Sequence, residues 1–126
     1  MFRISREFKF AASHQIEMLP DDHKCRRLHG HNYKVQLVLE SSDLDSNGFV
    51  KDYGELKEFK AEVDRLDHRH LNDFSFLHTT SAENIALHFW GVAESVYNSP
   101  STTRRVRVCK IRVSEGEKTW SEYSRE

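Results

Sequence analysis

The sequence lacks several features that mark whole classes of protein. It has two cysteines, which excludes a multi-disulfide framework. It has no apolar run approaching the roughly 20 residues that a membrane-spanning helix needs. Its N-terminal segment, MFRISREFKF, alternates charged and apolar side chains and has no apolar core of the kind that signal peptides carry. We therefore expect a cytoplasmic protein in which Cys25 and Cys109 are reduced.

The chain also lacks an excess of charge of either sign. Its 19 Lys and Arg residues nearly balance 20 Asp and Glu residues, for a formal net charge of −1, which argues against a protein that holds nucleic acid by bulk electrostatic attraction. Hydrophobic residues make up only 37% of the chain, but eight Phe, four Tyr and two Trp supply the buried area that a disordered chain lacks. At this length we expect a single domain over residues 1–126.

Histidine, by contrast, is abundant, with eight in 126 residues. Histidine is the commonest metal ligand, and it is also the side chain that most readily exchanges protons near neutral pH. The composition therefore favours a protein that carries out chemistry at a histidine-containing site.

Two-residue periodicity predicts the strands. Residues 31–40 alternate apolar and polar side chains most clearly, and residues 2–16, 105–114 and Thr119–Tyr123 are also predicted strands. Within 105–114 the alternation changes phase, which indicates a bulge or burial on both faces. The segment from Glu17 to Arg27 is too long for a tight turn, and long loops in compact domains are often functional.

Helical periodicity predicts two helices, over residues 52–66 and 82–97. Asp52 and Ser81 are placed to cap their N-termini. The order strand, strand, helix, helix, strand, strand predicts an α+β fold with an antiparallel sheet.

The strongest chemical signal is a pair of histidines separated by one glycine, His29-Gly30-His31. On a strand this spacing directs both imidazoles to one face, and antiparallel pairing with the preceding strand would bring His14 alongside them. Three imidazoles describe a catalytic zinc site, which keeps a fourth position for water or substrate. The pair alone is more often just a polar strand face, so the case for a metal site depends on His14 and on the neighbouring Cys25.

Cys25 leaves two alternatives open. As a fourth ligand it would close a structural zinc site, whereas as a free thiolate it would serve as a base or nucleophile. Three flanking cations, Lys24, Arg26 and Arg27, would favour the thiolate in either case.

Four blocks, taken in order, resemble the 6-pyruvoyl-tetrahydropterin synthase family over nearly the whole chain. They are FKFAASHQI, HKCRRLHGHNY, RLDHRHLND, and VRVCKIRVSE followed by KTWSEY. The gap of three residues between Cys25 and His29 is similar to the bacterial 6-carboxy-tetrahydropterin synthase branch, which acts in queuosine biosynthesis. The resemblance implies a tunnelling-fold unit, in which a four-stranded antiparallel sheet carries two helices on one face. It also implies a homohexamer of two stacked trimers, with active sites between subunits.

The resemblance further implies a lyase reaction and a role for each matching residue. The substrate is expected to be 7,8-dihydroneopterin triphosphate and the product 6-carboxy-5,6,7,8-tetrahydropterin, with triphosphate and acetaldehyde released. Alternatives are a 6-pyruvoyl-tetrahydropterin synthase and a non-catalytic zinc protein with Cys25 as fourth ligand. The implied roles are zinc binding by His14, His29 and His31, proton abstraction by Cys25, proton relay by Asp67 and His68, and pterin binding by Glu115.

Several assignments near the site stay open at this point. Asp67 and His68 also suit the end of a helix, where they would act only as capping groups. Ser81 keeps a hydroxyl for capping or for pterin contact. A triphosphate would be attracted by cations, and those beside Cys25 are the best placed: Lys24, Arg26 and Arg27.

The remaining candidates are expected to be structural. A second basic cluster is better explained as a solvated strand face or sheet edge; it comprises Arg104, Arg105, Arg107, Lys110 and Arg112. Cys109 is expected to be a small buried residue. The other histidines are expected to lie at the surface or in packing, with His70 the likeliest exception: His23, His70, His78 and His88.

Overall fold

A computed structural model describes residues 1–98 and 106–125. The strands are β1 (Phe2–His14), β2 (His29–Ser41), β3 (Arg69–His70), β4 (Val106–Ser114) and β5 (Ser121–Tyr123). The helices are α1 (Lys57–Leu66) and α2 (Ala82–Tyr97). Three short 3-10 turns, at Lys24–Arg26, Tyr53–Leu56 and Leu71–Asp73, connect these elements.

The strands form one sheet in the order β3-β1-β2-β4-β5. Antiparallel pairing of β1 with β2 runs without interruption from Phe2 opposite Ser41 to His14 opposite His29. The bounds of both strands differ slightly from the prediction. β2 begins at His29, two residues earlier than expected, and β1 ends at His14, two residues earlier than expected.

The sheet has five strands, which corrects the expected four. The additional strand is β3, which pairs with β1 at Ala12 and Ser13 and runs parallel to it, so the sheet is mixed rather than purely antiparallel. A strand of two residues is too short to show a periodicity, and its pairing is set by where α1 ends rather than by its own side chains.

A bulge explains the change of phase in β4. Val38 lies opposite Lys110 and the next residue, Leu39, lies opposite Val108, which leaves Cys109 without a partner in the ladder. Cys109 is half-buried, so the expectation of a buried side chain was wrong. Without the bulge, alternation with Ile111 and Val113 would direct this side chain into the core, and the bulge turns it away. Residue 105, the predicted start of this strand, lies outside the described residues.

The predicted helix over residues 52–66 is divided into a 3-10 turn and a shorter α-helix. Asp52 accepts a hydrogen bond from the amide of Gly54 at 2.9 Å and so caps the turn Tyr53–Leu56, and α1 follows from Lys57. The bounds of α2 agree with the prediction, and Ser81 caps it by accepting a hydrogen bond from the amide of Asn84 at 3.2 Å.

Both helices pack on the same face of the sheet, as expected. The ring of Phe8 on β1 lies 5.1 Å from that of Phe59 on α1, and the ring of Phe10 lies 6.1 Å from that of Phe89 on α2. The two helices meet through Phe59 and Phe89, whose ring centroids are 5.3 Å apart. Neither helix is long and apolar enough to cross a membrane, within the part of the chain that the structure describes.

Truncation at the point where α1, α2 and β1 meet tests this packing. Phe59 is fully buried, so Phe59→Ala removes contacts to both neighbouring rings and leaves a cavity; we expect a loss of about 3–5 kcal/mol in the free energy of unfolding. Leu87→Ala on the exposed side of α2 should cost less than about 1 kcal/mol. Urea denaturation of both variants measures the difference, and equal losses would contradict the packing described.

Candidate metal centre and its surroundings

The register of β1 and β2 brings three histidines together. His14 lies opposite His29, and Ala12 lies opposite His31, so the three imidazoles project from the end of the two strands to the side that carries the helices. One ring nitrogen of each lies within 4.8 Å of those of the other two. The prediction that strand pairing places His14 beside the His-Gly-His pair is confirmed.

Two of the three rings are oriented by backbone carbonyls. Nδ1 of His14 lies 2.8 Å from the carbonyl oxygen of Thr80, and Nδ1 of His29 lies 2.6 Å from that of Arg27. A carbonyl only accepts hydrogen bonds, so each Nδ1 carries the proton and each Nε2 carries a lone pair. Metal-binding histidines are held in this way, with one nitrogen donating to the protein and the other facing the ion.

The spacing of the nitrogens fits a shared cation. Nε2 of His14 and Nε2 of His29 are 3.0 Å apart, and two lone pairs that face each other at this distance repel unless a positive charge lies between them. Nitrogen ligands of one tetrahedral zinc ion are separated by about 3.3 Å. The donor set and its geometry therefore fit a bound metal ion.

Burial keeps His14 in the form that a metal requires. The residue is 1% exposed, and this desolvation lowers its pKa from 6.5 to about 4, against an opposing effect of the hydrogen bond to Thr80. The neighbouring His29 and His31 lower the pKa further. His14 is therefore neutral at neutral pH, and a metal ion need not displace a proton from it.

Glu115 lies directly against this cluster. Its Oε2 is 3.6 Å from Nε2 of His14 and 3.7 Å from Nε2 of His31. Glu115 follows the last residue of β4, which pairs with β2 through Ser114 and Lys34. Nothing in the local sequence distinguishes this glutamate from any other loop acid, and the sheet brings it to the histidines from a distant part of the chain.

Sequence reasoning missed two residues beside the cluster. One is Thr80, whose carbonyl orients the ring of His14, and the other is Tyr33. Tyr33 is fully buried, its ring lies 5.4 Å from that of His31, and its hydroxyl has no hydrogen-bond partner among the described residues. Burial, and secondarily the charge of Glu115, raise the pKa of this hydroxyl well above its ordinary value. The strand alternation predicts that Tyr33 lies in the core. The signal in the sequence for its place beside the cluster is that it follows His31 by two residues.

Asp67 and His68 interact with the edge of β1 rather than with the dipole of α1. Oδ1 of Asp67 accepts a hydrogen bond from the amide of Ala11 at 2.8 Å, and its Oδ2 lies 2.9 Å from Nδ1 of His68. These two contacts, the first above all, lower the pKa of Asp67. The side chain of His68 is 81% exposed.

A cavity of about 500 Å³ lies beside β3. Its lining includes His31 from the metal cluster together with His68 and His70. Nδ1 of His70 lies 2.9 Å from the hydroxyl of Ser13, so His70 is tied to this cavity and is not merely a surface residue.

Cys25 lies in the 3-10 turn Lys24–Arg26 and is half-buried. Its carbonyl accepts a hydrogen bond from the amide of Ile16 at 2.8 Å, and its own amide donates to Nδ1 of His23 at 3.0 Å. His23 is therefore the cap of this turn. Among the described residues, the group whose ligand atoms converge consists of the three histidines and does not include Cys25, which favours the free thiol over the fourth ligand.

The three cations around Cys25 differ in their surroundings. The guanidinium of Arg26 donates to the carbonyl oxygens of Glu17 and Leu19, and its Nε lies 3.0 Å from Oδ1 of Asp21. Arg26 therefore holds the long loop together. Lys24 and Arg27 are exposed, so they remain the better candidates for contact with an anionic substrate.

The second basic cluster has the surroundings of a solvated strand face. Arg107 pairs with Glu40 at 3.4 Å, and Arg112 pairs with Glu122 at 3.5 Å. Lys110 lies 3.9 Å from the same Glu122. Arg104 and Arg105 lie outside the described residues.

Comparison with known proteins identifies relatives over nearly the whole chain. The model of the family described as 6-pyruvoyl tetrahydropterin synthase matches residues 3–126. A putative 6-carboxy-5,6,7,8-tetrahydropterin synthase of Archaeoglobus fulgidus is 33% identical, covering 92% of this chain and 90% of the relative. The 6-carboxy-5,6,7,8-tetrahydropterin synthase of Haemophilus influenzae is 29% identical, and the match covers 98% of this chain and 99% of the relative.

A solved structure gives the same result for the fold. The 6-pyruvoyl tetrahydropterin synthase of Caenorhabditis elegans superposes with a TM-score of 0.82 at 29% identity, covering 99% of this chain and 96% of that one. The expected tunnelling-fold unit is therefore confirmed, with the fifth strand as the one difference.

The lowered pKa of His14 predicts how the stability of the metal-free protein depends on pH. The folded pKa is about 4 against 6.5 for the ordinary group, so the unfolded chain binds more protons between these values. The free energy of unfolding should then fall by up to about 3 kcal/mol as the pH is lowered from 6.5 to 4.

Urea denaturation of chelator-treated protein across this range measures the slope, with His14→Gln as the comparison. The variant should show a shallower slope, because it lacks the contribution of His14. Some slope should remain, because other groups still titrate, including His88, whose pKa burial also lowers. Identical slopes for the two proteins would contradict the assignment to His14.

Proposed function

Because the chain belongs to the 6-pyruvoyl tetrahydropterin synthase family, we propose that it converts 7,8-dihydroneopterin triphosphate to 6-carboxy-5,6,7,8-tetrahydropterin, releasing triphosphate and acetaldehyde. This reaction would serve queuosine biosynthesis. The observation that carries the proposal is the convergence of three histidine nitrogens at the end of β1 and β2. The names of the relatives from Archaeoglobus fulgidus and Haemophilus influenzae support this product.

A second candidate is a 6-pyruvoyl-tetrahydropterin synthase. The matching structure from Caenorhabditis elegans carries that name, and so does the family. The short gap between Cys25 and His29 favours the carboxy product, since it resembles that branch of the family.

The proposed cofactor is one Zn²⁺ per subunit, held by His14, His29 and His31. When bound there it would act as a Lewis acid on the hydroxyl-bearing side chain of the substrate and acidify the adjacent C–H. The carbonyls of Thr80 and Arg27 fix the rings of His14 and His29, so the protein presents Nε2 lone pairs without reorganisation.

Cys25 and the Asp67–His68 pair are proposed to move the proton. Cys25 would abstract it as the thiolate, the form of cysteine that acts as a base or nucleophile. Asp67 holds Nδ1 of His68 at 2.9 Å, which leaves Nε2 of His68 as the atom that exchanges a proton with the thiol or the substrate.

The pterin ring and the triphosphate are proposed to bind at opposite ends of the site. A carboxylate such as Glu115 can accept two parallel hydrogen bonds from the guanidine-like edge of the ring. Lys24 and Arg27 would attract the triphosphate, and Arg26 would contribute less because its guanidinium holds the loop. The Ser81 hydroxyl caps α2, which supports the capping role that was one of its two candidates.

We further propose that each site is shared between subunits of a homohexamer. His68 is 81% exposed, which leaves a proton-transfer residue in water unless a second chain covers it. The outer edge of β1 over residues 2–10 also has no partner strand within the described residues, and an uncovered edge of this length favours pairing with another chain.

The cytoplasmic location stays a prediction.

Product identification tests the reaction. The zinc-loaded protein, incubated with 7,8-dihydroneopterin triphosphate, should yield a product with the mass of 6-carboxy-5,6,7,8-tetrahydropterin, together with acetaldehyde. Mass spectrometry distinguishes this product from the 6-pyruvoyl compound, whose appearance would support the second candidate instead.

Chelation separates a catalytic site from a structural one. We expect metal removal to abolish turnover while the circular dichroism spectrum is retained, because the apolar core lies between the sheet and the helices and does not depend on the metal. Unfolding on chelation would instead indicate a structural metal.

Subunit mixing tests the shared site. Cys25→Ala and His68→Ala should each lower turnover by roughly 10²–10⁴-fold, the usual contribution of a positioned acid or base. After dissociation and reassociation of the two variants together, some sites receive an intact Cys25 from one chain and an intact His68 from another, so activity should return. Cys25→Ala taken through the same procedure alone is the control. If the mixture stays as inactive as this control, the two residues act within one chain.

A further inference from the structure

The carboxylate of Glu115 occupies an unusual position. It lies 3.6 Å from Nε2 of His14 and 3.7 Å from Nε2 of His31. These nitrogens belong to the group that converges as metal ligands. The carboxylate therefore faces the space where the ion would lie, not the outer side of the rings.

A direct hydrogen bond from a protonated histidine does not explain these contacts, because 3.6 and 3.7 Å are longer than the roughly 2.7–2.9 Å of such a bond. With its Nδ1 proton donated to the carbonyl of Thr80, neutral His14 presents a lone pair at Nε2 to Glu115. A lone pair and a carboxylate repel each other, and the contact is favourable only when a cation lies between them.

The distances also match those between ligands of a single ion. Two ligands of one tetrahedral zinc ion are separated by about 3.3 Å, close to the 3.0 Å between the nitrogens of His14 and His29 and to the two distances from Glu115. Three histidines leave one position of a tetrahedron open, and the Glu115 carboxylate is the acidic group that the structure places against them.

We propose that Glu115 is the fourth metal ligand in the substrate-free protein. A site closed by three imidazoles and one carboxylate would hold the ion more tightly than an open site and would exclude water and small anions from it. This goes beyond pterin binding, and in one respect it rests on the proposed function: the same carboxylate would leave the ion to accept hydrogen bonds from the pterin.

The surroundings of Glu115 allow such an exchange. Its side chain is 33% exposed, and it sits between the end of β4 and the loop that starts at Gly116. The hydroxyl of Ser114 accepts a hydrogen bond from the amide of Gly116 at 3.2 Å, which holds the backbone on either side of the glutamate.

The affinity for zinc in the absence of any pterin gives the first test. Competition with a chromophoric chelator should show that Glu115→Gln and Glu115→Ala bind zinc at least about tenfold more weakly than the wild type, since even residues that only support a ligand contribute roughly 10- to 100-fold. Glu117→Gln changes an exposed acid two residues further along and should leave the affinity unchanged. Unchanged affinity in both Glu115 variants would overturn the proposal.

The second test distinguishes a ligand from a carboxylate that acts only through its charge. In the Co²⁺-substituted wild type, added thiocyanate should leave the visible spectrum unchanged because the fourth position is filled. In Co²⁺-substituted Glu115→Ala it should shift the spectrum because that position is open. A wild-type spectrum that responds as strongly as that of Glu115→Ala would show that Glu115 is not a ligand.

Neither measurement involves a pterin or turnover. A protein without synthase activity can therefore still pass both tests, and an active synthase can fail them, so the two proposals are separable.

Discussion

The register between β1 and β2 is the constraint on which the metal centre depends. Side chains alternate between the two faces of a strand, so a slip of one residue would move His14 to the opposite face from His29 and His31. The register is held along thirteen-residue strands whose buried members include Phe8, Phe10 and Tyr33. The slip of β1 that would move His14 would also turn Phe8 and Phe10 out of the core, and the hydrophobic core therefore fixes the geometry of the polar site at its end.

The candidate site combines groups on paired strands with groups on the segments between them. The three histidines of the cluster lie on paired strands, and backbone carbonyls orient two of them. Cys25 and Glu115, in contrast, lie on segments outside the strands. Metal sites need fixed geometry, whereas groups that receive and release a substrate benefit from freedom to move. The division between strand and loop follows that difference in chemical task.

Periodic and local features of this chain could be predicted from its sequence, and features set by distant contacts could not. The extent of α2 was predicted because its apolar stripe and its cap at Ser81 are both local. The histidine cluster was predicted because it requires only the pairing of neighbouring strands. Glu115 reaches the cluster through β4, which follows β2 by more than sixty residues, and nothing local reveals that contact.

Smaller elements escaped prediction for a related reason. The pairing of β3 is determined where α1 ends, and its two residues carry no pattern of their own. Cys109 became half-buried because a bulge interrupts the alternation, and the sequence allowed either a bulge or burial on both faces. The metal-facing nitrogen of His14 is selected by the carbonyl of Thr80, a contact between residues far apart in the chain.

The backbone at His68 adopts a conformation that is costly for a residue with a side chain. His68 has a φ of 59°, in the left-handed region that costs a residue with a side chain roughly 1–2 kcal/mol. Two contacts with Ala11 oppose this cost, since the amide of His68 donates to the Ala11 carbonyl at 2.6 Å and Asp67 accepts from the Ala11 amide at 2.8 Å. Glycine would adopt the same conformation without that cost and would keep the backbone contact. A histidine at this position therefore costs stability that an ordinary turn has no reason to lose, and such strain is typical of functional residues.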